Sequence, residues 1–244
     1  MDDTMAVPTP PAAPQPDFAR LLVLLDYDGT VTDREYAVLA LQQLTGDAWR
    51  VPDQAAARGE IGHAECLRRQ IELLTSSKEE FIDASSRDAR LAGGFAGFLA
   101  ALVAGGARVA VVSAGFRQAI EAVWRREALP PVELFASAVV PRDGSTGPPW
   151  TVRFDPRLGD CPTCGPRSCK GGVLRLLRRP GDTIAVFGDG ISDLCLARDA
   201  DVVFARGRLV ELCEREGIAY HRLSDYRPAL LLLTDLMTPR VTTS

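Results

Sequence analysis

Asp26 and Asp28 stand two positions apart, directly after the run Leu21-Leu22-Val23-Leu24-Leu25 and directly before Gly29-Thr30. In an extended chain residues i and i+2 point the same way, so the two carboxylates project to one side. Acids this close disfavour joint ionisation unless a cation lies between them or one keeps its proton. Such a pair suits a Mg²⁺ site in which one carboxylate attacks and the other handles a proton. An ordinary acidic turn draws on the same residue types. Further along, Ser113, Lys170, Asp189 and Asp193 offer a hydroxyl, an ammonium and two more carboxylates. With helix N-terminal amides, these groups make a site for a metal-bridged phosphate.

The elements that must position them are legible as apolar runs. Five aliphatic residues without polar alternation, Leu21 to Leu25, read as a strand buried on both faces. Similar strands are expected at 108–112, ending at Ser113-Ala114-Gly115, at 134–140, at 184–187, ending at Gly188-Asp189, and at 201–205. Helical patterns fall between them, at 95–103, 116–128, from Lys170 to before Pro180, at 208–216 and at 225–237, with a short strand at 218–221. Strands alternating with helices predict an α/β fold, a doubly wound parallel (Rossmann-like) sheet whose ligands lie beyond the C-terminal strand ends. Four further helical patterns, at 34–44, 53–58, 63–74 and 78–88, predict a small helical cap inserted after the first strand. The expected division is a disordered acidic, proline-rich leader at 1–16, an α/β core at 17–32 and 91–244, and a cap at 33–90. Residues 141–169, rich in Pro, Gly and Cys, read as a loop or β-flap.

Composition narrows the partners. A chain of 244 residues suits one large domain or a domain with a modest insertion. Its net charge of −4 leaves no basic excess for a nucleic-acid backbone. No apolar run approaches the roughly 20 residues that span a bilayer, so no membrane association is expected, and the N-terminus has no apolar signal core. Six cysteines without an export signal point to reduced thiols and a cytoplasmic protein. A monomer or homodimer is expected. Cys161, Cys164 and Cys169 supply three thiolates where a structural zinc takes four. His221 and Cys213 are candidates for the fourth, without support from spacing, so simple reduced thiols are the expectation and zinc or a redox pair the alternative. His63 and His221 lack a partner motif and read as surface or packing residues. Trp49, Trp124 and Trp150 read as packing, with Trp150 also a candidate substrate contact. Arg58, Arg68 and Arg69 in the cap are candidates for a substrate's distal end.

Taken in order, Asp26-Tyr27-Asp28-Gly29-Thr30, Ser113, Lys170 and Gly188-Asp189-Gly190-Ile191-Ser192-Asp193 resemble the four motifs of the haloacid dehalogenase-like hydrolases, over roughly residues 20–205. A helical cap between the first two motifs is similar to the phosphoserine phosphatase-like branch. The segment from Asp160 to Lys170, with its three cysteines, and the segments Phe204-Ala205-Arg206 and Leu212 to Glu216 resemble the methionine-salvage phosphatases of 2-hydroxy-3-keto-5-methylthiopentenyl-1-phosphate. Residues 45–90 carry little of that pattern, so the class transfers better than the substrate.

The resemblance implies a Mg²⁺-dependent phosphatase acting on a small-molecule phosphate ester. Asp26 is then the nucleophile that forms an aspartyl-phosphate, and Asp28 the acid and base. Asp26, the backbone carbonyl of Asp28, and Asp189 are the implied Mg²⁺ ligands. Ser113 and Lys170 bind phosphoryl oxygens, with amides at Gly29, Thr30, Ala114 and Gly115. Asp193 orients Lys170 or a water on the metal from behind. Glu35 resembles a glutamate that meets the substrate's amino group in phosphoserine phosphatases, with a solvated or capping glutamate as the alternative. Alternatives within reach are phosphoserine, phosphocholine-like, pyridoxal or thiamine phosphates as substrates, a phosphomutase, and a binding protein without turnover.

Overall fold

The computed structural model describes residues 16–162 and 164–239; apart from Pro16, the leader expected at 1–16 lies outside them. Its strands are β1 (Leu21–Leu25), β2 (Arg108–Phe116), β3 (Glu133–Pro141), β4 (Trp150–Arg153), β5 (Gly159–Cys161), β6 (Gly165–Cys169), β7 (Thr183–Gly188), β8 (Val202–Ala205) and β9 (His221–Arg222). Its helices begin with α1 (Tyr36–Thr45), α2 (Arg50–Ala57), α3 (His63–Glu72) and α4 (Lys78–Ser86), all between β1 and β2. There follow α5 (Phe95–Ala104), α6 (Arg117–Arg126), α7 (Gly171–Leu177), α8 (Leu194–Ala197), α9 (Gly207–Glu216) and α10 (Tyr226–Met237).

The apolar runs become a seven-stranded sheet in the order β4-β3-β2-β1-β7-β8-β9, parallel except where β4 pairs antiparallel with β3. All five residues of β1 are buried, because alternate side chains serve two different cores. Leu21, Val23 and Leu25 pack with Phe95, Phe98 and Leu102 of α5 and with Tyr226 and Leu233 of α10. Leu22 and Leu24 pack with Val173 and Leu174 of α7 and Leu196 of α8. Helices on both faces and a strand order that reverses at β1 place a crevice at the C-terminal ends of β1, β2 and β7.

The helices α1 to α4 pack against one end of the sheet. Ala40, Leu41, Leu67, Ile71 and Phe81 share a core with Phe116, Val139, Trp150 and Val152, and Phe81 meets Phe116 edge-on at 5.1 Å. Trp150 is buried there, and its indole N–H donates to the Ser76 carbonyl at 2.9 Å. β4, within the stretch expected as a loop or β-flap, has its apolar face completed by the helical segment rather than by the sheet. The helix expected at 53–58 begins earlier, with Pro52 accommodated in its first turn, where the missing N–H costs nothing. The strand expected at 218–221 is displaced to His221–Arg222, where it pairs with Phe204 and Ala205. No helix among the described residues is long and apolar enough to cross a membrane.

Candidate active site

The chain leaving β1 makes a wide turn over Tyr27–Val31, broken by extended Asp28 and by Gly29 at φ 73°. A left-handed φ favours glycine, and space demands it as well: a Cβ on Gly29 would lie 2.3 Å from an oxygen of Asp189. The turn is closed by the Gly29 amide, which donates to the Arg34 carbonyl at 3.1 Å and the Thr32 hydroxyl at 3.2 Å. Asp28 thereby faces the first turn of α1, whose Ala37 amide donates to its carboxylate at 3.3 Å. On the other side it approaches the end of β2. A Cβ on Gly115 would stand 2.8 Å from an Asp28 oxygen and 3.1 Å from the Ser113 hydroxyl. Ser113 is buried, and its Oγ accepts the Gly115 amide at 2.9 Å.

Lys170, just before α7, is almost wholly buried. Its ammonium donates to Asp26 and, at 2.6 Å, to Asp193. Asp193 is fully engaged: its second oxygen accepts the amides of Asp189 and Gly190 at 3.1 and 3.0 Å. Asp189 follows β7, which pairs with β1, and so stands beside Asp26. The oxygens of Asp26, Asp189 and Asp193 lie within 4.8 Å of one another. Asp26, Asp28, Ser113, Lys170, Asp189 and Asp193 are thus drawn together from four separate parts of the chain.

The electrostatics follow from burial. It lifts the Asp26 carboxyl above the usual range, against the pull of Lys170. Burial, then the charge of Asp26, pushes Asp28 up to about 7. For Lys170 burial opposes the charge, but Asp193 and Asp26 outweigh it and hold the ammonium firmly protonated. Asp189 is raised by burial and by the charges of Asp26 and Asp193. It has no ion-pair partner among the described residues, only the Thr30 hydroxyl at 3.5 Å. One lysine therefore stands against four carboxylates, an all-oxygen donor set with surplus negative charge. That set fits a hard divalent cation such as Mg²⁺.

The remaining candidates divide. Glu35, exposed at the start of α1, is close enough for its charge to raise Asp28 and Asp189. Arg58 is exposed and forked onto Glu60; no contact joins it to the carboxylates among the described residues. Arg68 and Arg69 pair with Glu65, at 2.7 Å for Arg69, and Arg68 also lies over the Phe154 ring. His221 is exposed against Phe204. His63, expected as a surface or packing residue, is packed near the carboxylates. Its Nε2 is buried without a hydrogen-bond partner among the described residues, and the charges of Lys170 and Asp193 act on it. Only tertiary packing of α3 toward the site reveals this, since His63 has no motif around it.

A family profile described as haloacid dehalogenase-like hydrolase matches residues 23–198. The chain belongs to that family. It is similar, at 28% identity over 200 residues, to the 2-hydroxy-3-keto-5-methylthiopentenyl-1-phosphate phosphatase of Exiguobacterium sp., covering 81% of this chain and 90% of the relative. The protein of the same name from Geobacillus kaustophilus is 29% identical over 203 residues, covering 82% and 90%. Among solved structures, a substrate-bound phosphoserine phosphatase superposes with a TM-score of 0.65 at 19% identity, over 87% of this chain and 98% of that one. A haloacid dehalogenase family hydrolase from Salmonella enterica serovar Typhi gives 0.66 at 22% identity, over 91% and 73%. These structures share the fold. The protein is an enzyme of the hydrolase family, related to proteins named as phosphatases.

Proposed function

We propose that the protein hydrolyses a small-molecule phosphomonoester through an aspartyl-phosphate on Asp26, with Mg²⁺ as cofactor. The observation that carries this is the buried Lys170, hydrogen-bonded to both Asp26 and Asp193. It holds the Asp26 carboxylate in one orientation at the end of β1 and leaves a positive charge where phosphoryl oxygens would lie.

Asp26 attacks phosphorus, and the ester P–O bond breaks as Asp28 gives its proton to the leaving oxygen. Water then attacks the phosphorus of the aspartyl-phosphate, Asp28 takes the water's proton, and orthophosphate departs as the Asp26 carboxylate is restored. Ser113, Lys170 and the amides of Gly29, Thr30, Ala114 and Gly115 bind the phosphoryl oxygens. Asp193 positions Lys170. Asp26, the backbone carbonyl of Asp28, and Asp189 would hold Mg²⁺, which when bound offsets the negative charge between carboxylate and phosphate.

The leading substrate is 2-hydroxy-3-keto-5-methylthiopentenyl-1-phosphate, supported by the names of relatives that match more than four-fifths of the chain. Glu35, exposed beside the site, favours a second reading, a phosphorylated amine such as phosphoserine. Catalytic efficiencies over a panel holding both esters test the proposal. Orthophosphate release from 2-hydroxy-3-keto-5-methylthiopentenyl-1-phosphate at least tenfold more efficient than from the others supports the leading reading. Preference for phosphoserine, lost in Glu35→Gln, supports the second. No Mg²⁺-dependent hydrolysis of any ester, including a generic aryl phosphate, refutes both.

A further inference from the structure

Outside the carboxylate site, four cysteines converge. Cys161 and Cys164 come from the β5–β6 hairpin, Cys169 from its last residue, and Cys195 from α8. Their sulfurs all lie within 4.8 Å of one another, and Cys195 Sγ is 3.8 Å from that of Cys161 and 3.7 Å from that of Cys164. A disulfide needs about 2.05 Å. Four thiolates around zinc at about 2.3 Å, in a tetrahedron, stand about 3.8 Å apart. Cys213, one candidate for the fourth ligand, is buried instead in the core between α8 and α9, and His221 is exposed on β9.

The hairpin's composition says why a metal is needed. From Gly159 to Cys169 it contains no aliphatic or aromatic residue, and it forms a two-stranded sheet of its own, separate from the main one. Such a hairpin is marginal in water without a staple. It nevertheless packs tightly: a Cβ on Gly172 would lie 2.3 Å from the Gly159 nitrogen. The Cys164 amide donates to Cys161 Sγ at 3.1 Å, the kind of N–H···S contact that stabilises an anionic sulfur. Arg198, which pairs with Glu216 at 2.7 Å, also places its charge near Cys195 and Cys161.

We propose that Cys161, Cys164, Cys169 and Cys195 bind one structural zinc ion that fastens the β5–β6 hairpin to α8. Cys169 directly precedes Lys170, and Cys195 follows Asp193 by two positions. The metal therefore joins the two segments that carry the buried ammonium and its carboxylate partner, and acts as a positioning device for that pair. A closed tetrathiolate has no open coordination position and takes no part in the chemistry.

The full chain, purified from zinc-supplemented culture, is expected to carry one zinc per chain by elemental analysis. Replacement by Co²⁺ should give the intense ligand-field and thiolate charge-transfer bands of a tetrahedral tetrathiolate. Cys161→Ser and Cys195→Ser should lose the zinc, while Cys66→Ser and Cys213→Ser, outside the cluster, keep it. Should the first two variants not fold, titration of the native protein with an organomercurial decides instead, since zinc must leave as four thiols are consumed. Substoichiometric zinc after supplementation, an iron–sulfur chromophore, a Co²⁺ spectrum of oxygen ligation, or zinc retained in a folded Cys195→Ser overturns the proposal. None of these readouts depends on phosphatase activity, so the zinc site and the proposed function can fail separately.

Discussion

Lys170 Nζ lies 2.6 Å from Asp193 Oδ1, and the two side chains are 1% and 0% exposed. The other oxygen of Asp193 accepts two backbone amides, so the carboxylate is met by donors on both sides. An asparagine offers a single acceptor oxygen there and must turn an N–H toward either the ammonium or the amides. Lys170 keeps Asp26 as a partner, so Asp193→Asn is expected to destabilise the fold by about 1–3 kcal/mol, the cost of leaving a buried donor unmet. Urea unfolding at neutral pH measures this.

Asp26→Asn behaves differently. Lys170 keeps Asp193 as its partner, so the fold should survive with an unchanged circular dichroism spectrum. Mg²⁺-dependent hydrolysis of an aryl phosphate should drop to background, because a neutral amide is no nucleophile toward phosphorus. Asp28→Asn should lower kcat by about 100-fold or more, the scale of a lost acid–base group. Unchanged turnover in Asp26→Asn removes the nucleophile assignment.

The carboxylate site was largely legible in the chain because Asp26, Ser113 and Asp189 each follow a run of consecutive apolar residues, as at Leu21–Leu25 and Ile184–Phe187, whereas Lys170 follows a cysteine-rich stretch with no such run. A central parallel strand has no polar face, so its end is marked by the first acids or glycines after it. Other features had no such local mark. Cys195 lies far along the chain from Cys161 and sits in a helix whose pattern is otherwise apolar. β4 carries its apolar residues toward the helices α1 to α4, so nothing nearby in sequence marks it as sheet. His63 is brought near Lys170 only by the packing of α3.

Gly29→Ala tests the crowding beside Asp189. The backbone at φ 73° costs an alanine about 1–2 kcal/mol, and its methyl would meet an Asp189 oxygen at 2.3 Å. Asp189 has to move, and the Mg²⁺ concentration for half-maximal activity should rise about tenfold or more. A Mg²⁺ titration of the variant at saturating substrate measures the shift. An unchanged titration would mean that Asp189 does not hold the cation.

His63 predicts a pH dependence of stability that a substitution can isolate. Burial, and secondarily the charge of Lys170, hold its imidazole below the ordinary value of 6.5, while Asp193 and Asp53 pull weakly the other way. The unfolded chain therefore binds a proton at His63 more readily than the folded one. Its contribution to stability is present above pH 6.5 and declines as pH falls below it, at most by about 1.4 kcal/mol per pH unit for one proton. Asp26, Asp28 and Asp189 work in the opposite sense, since their raised values favour the folded state on acidification. The comparison must therefore be between proteins, not between pH values alone. His63→Gln retains a polar side chain but cannot titrate. Between pH 7.5 and 5.5 the wild type should lose stability relative to this variant in urea unfolding, and a constant difference across that range would place the His63 imidazole in water instead.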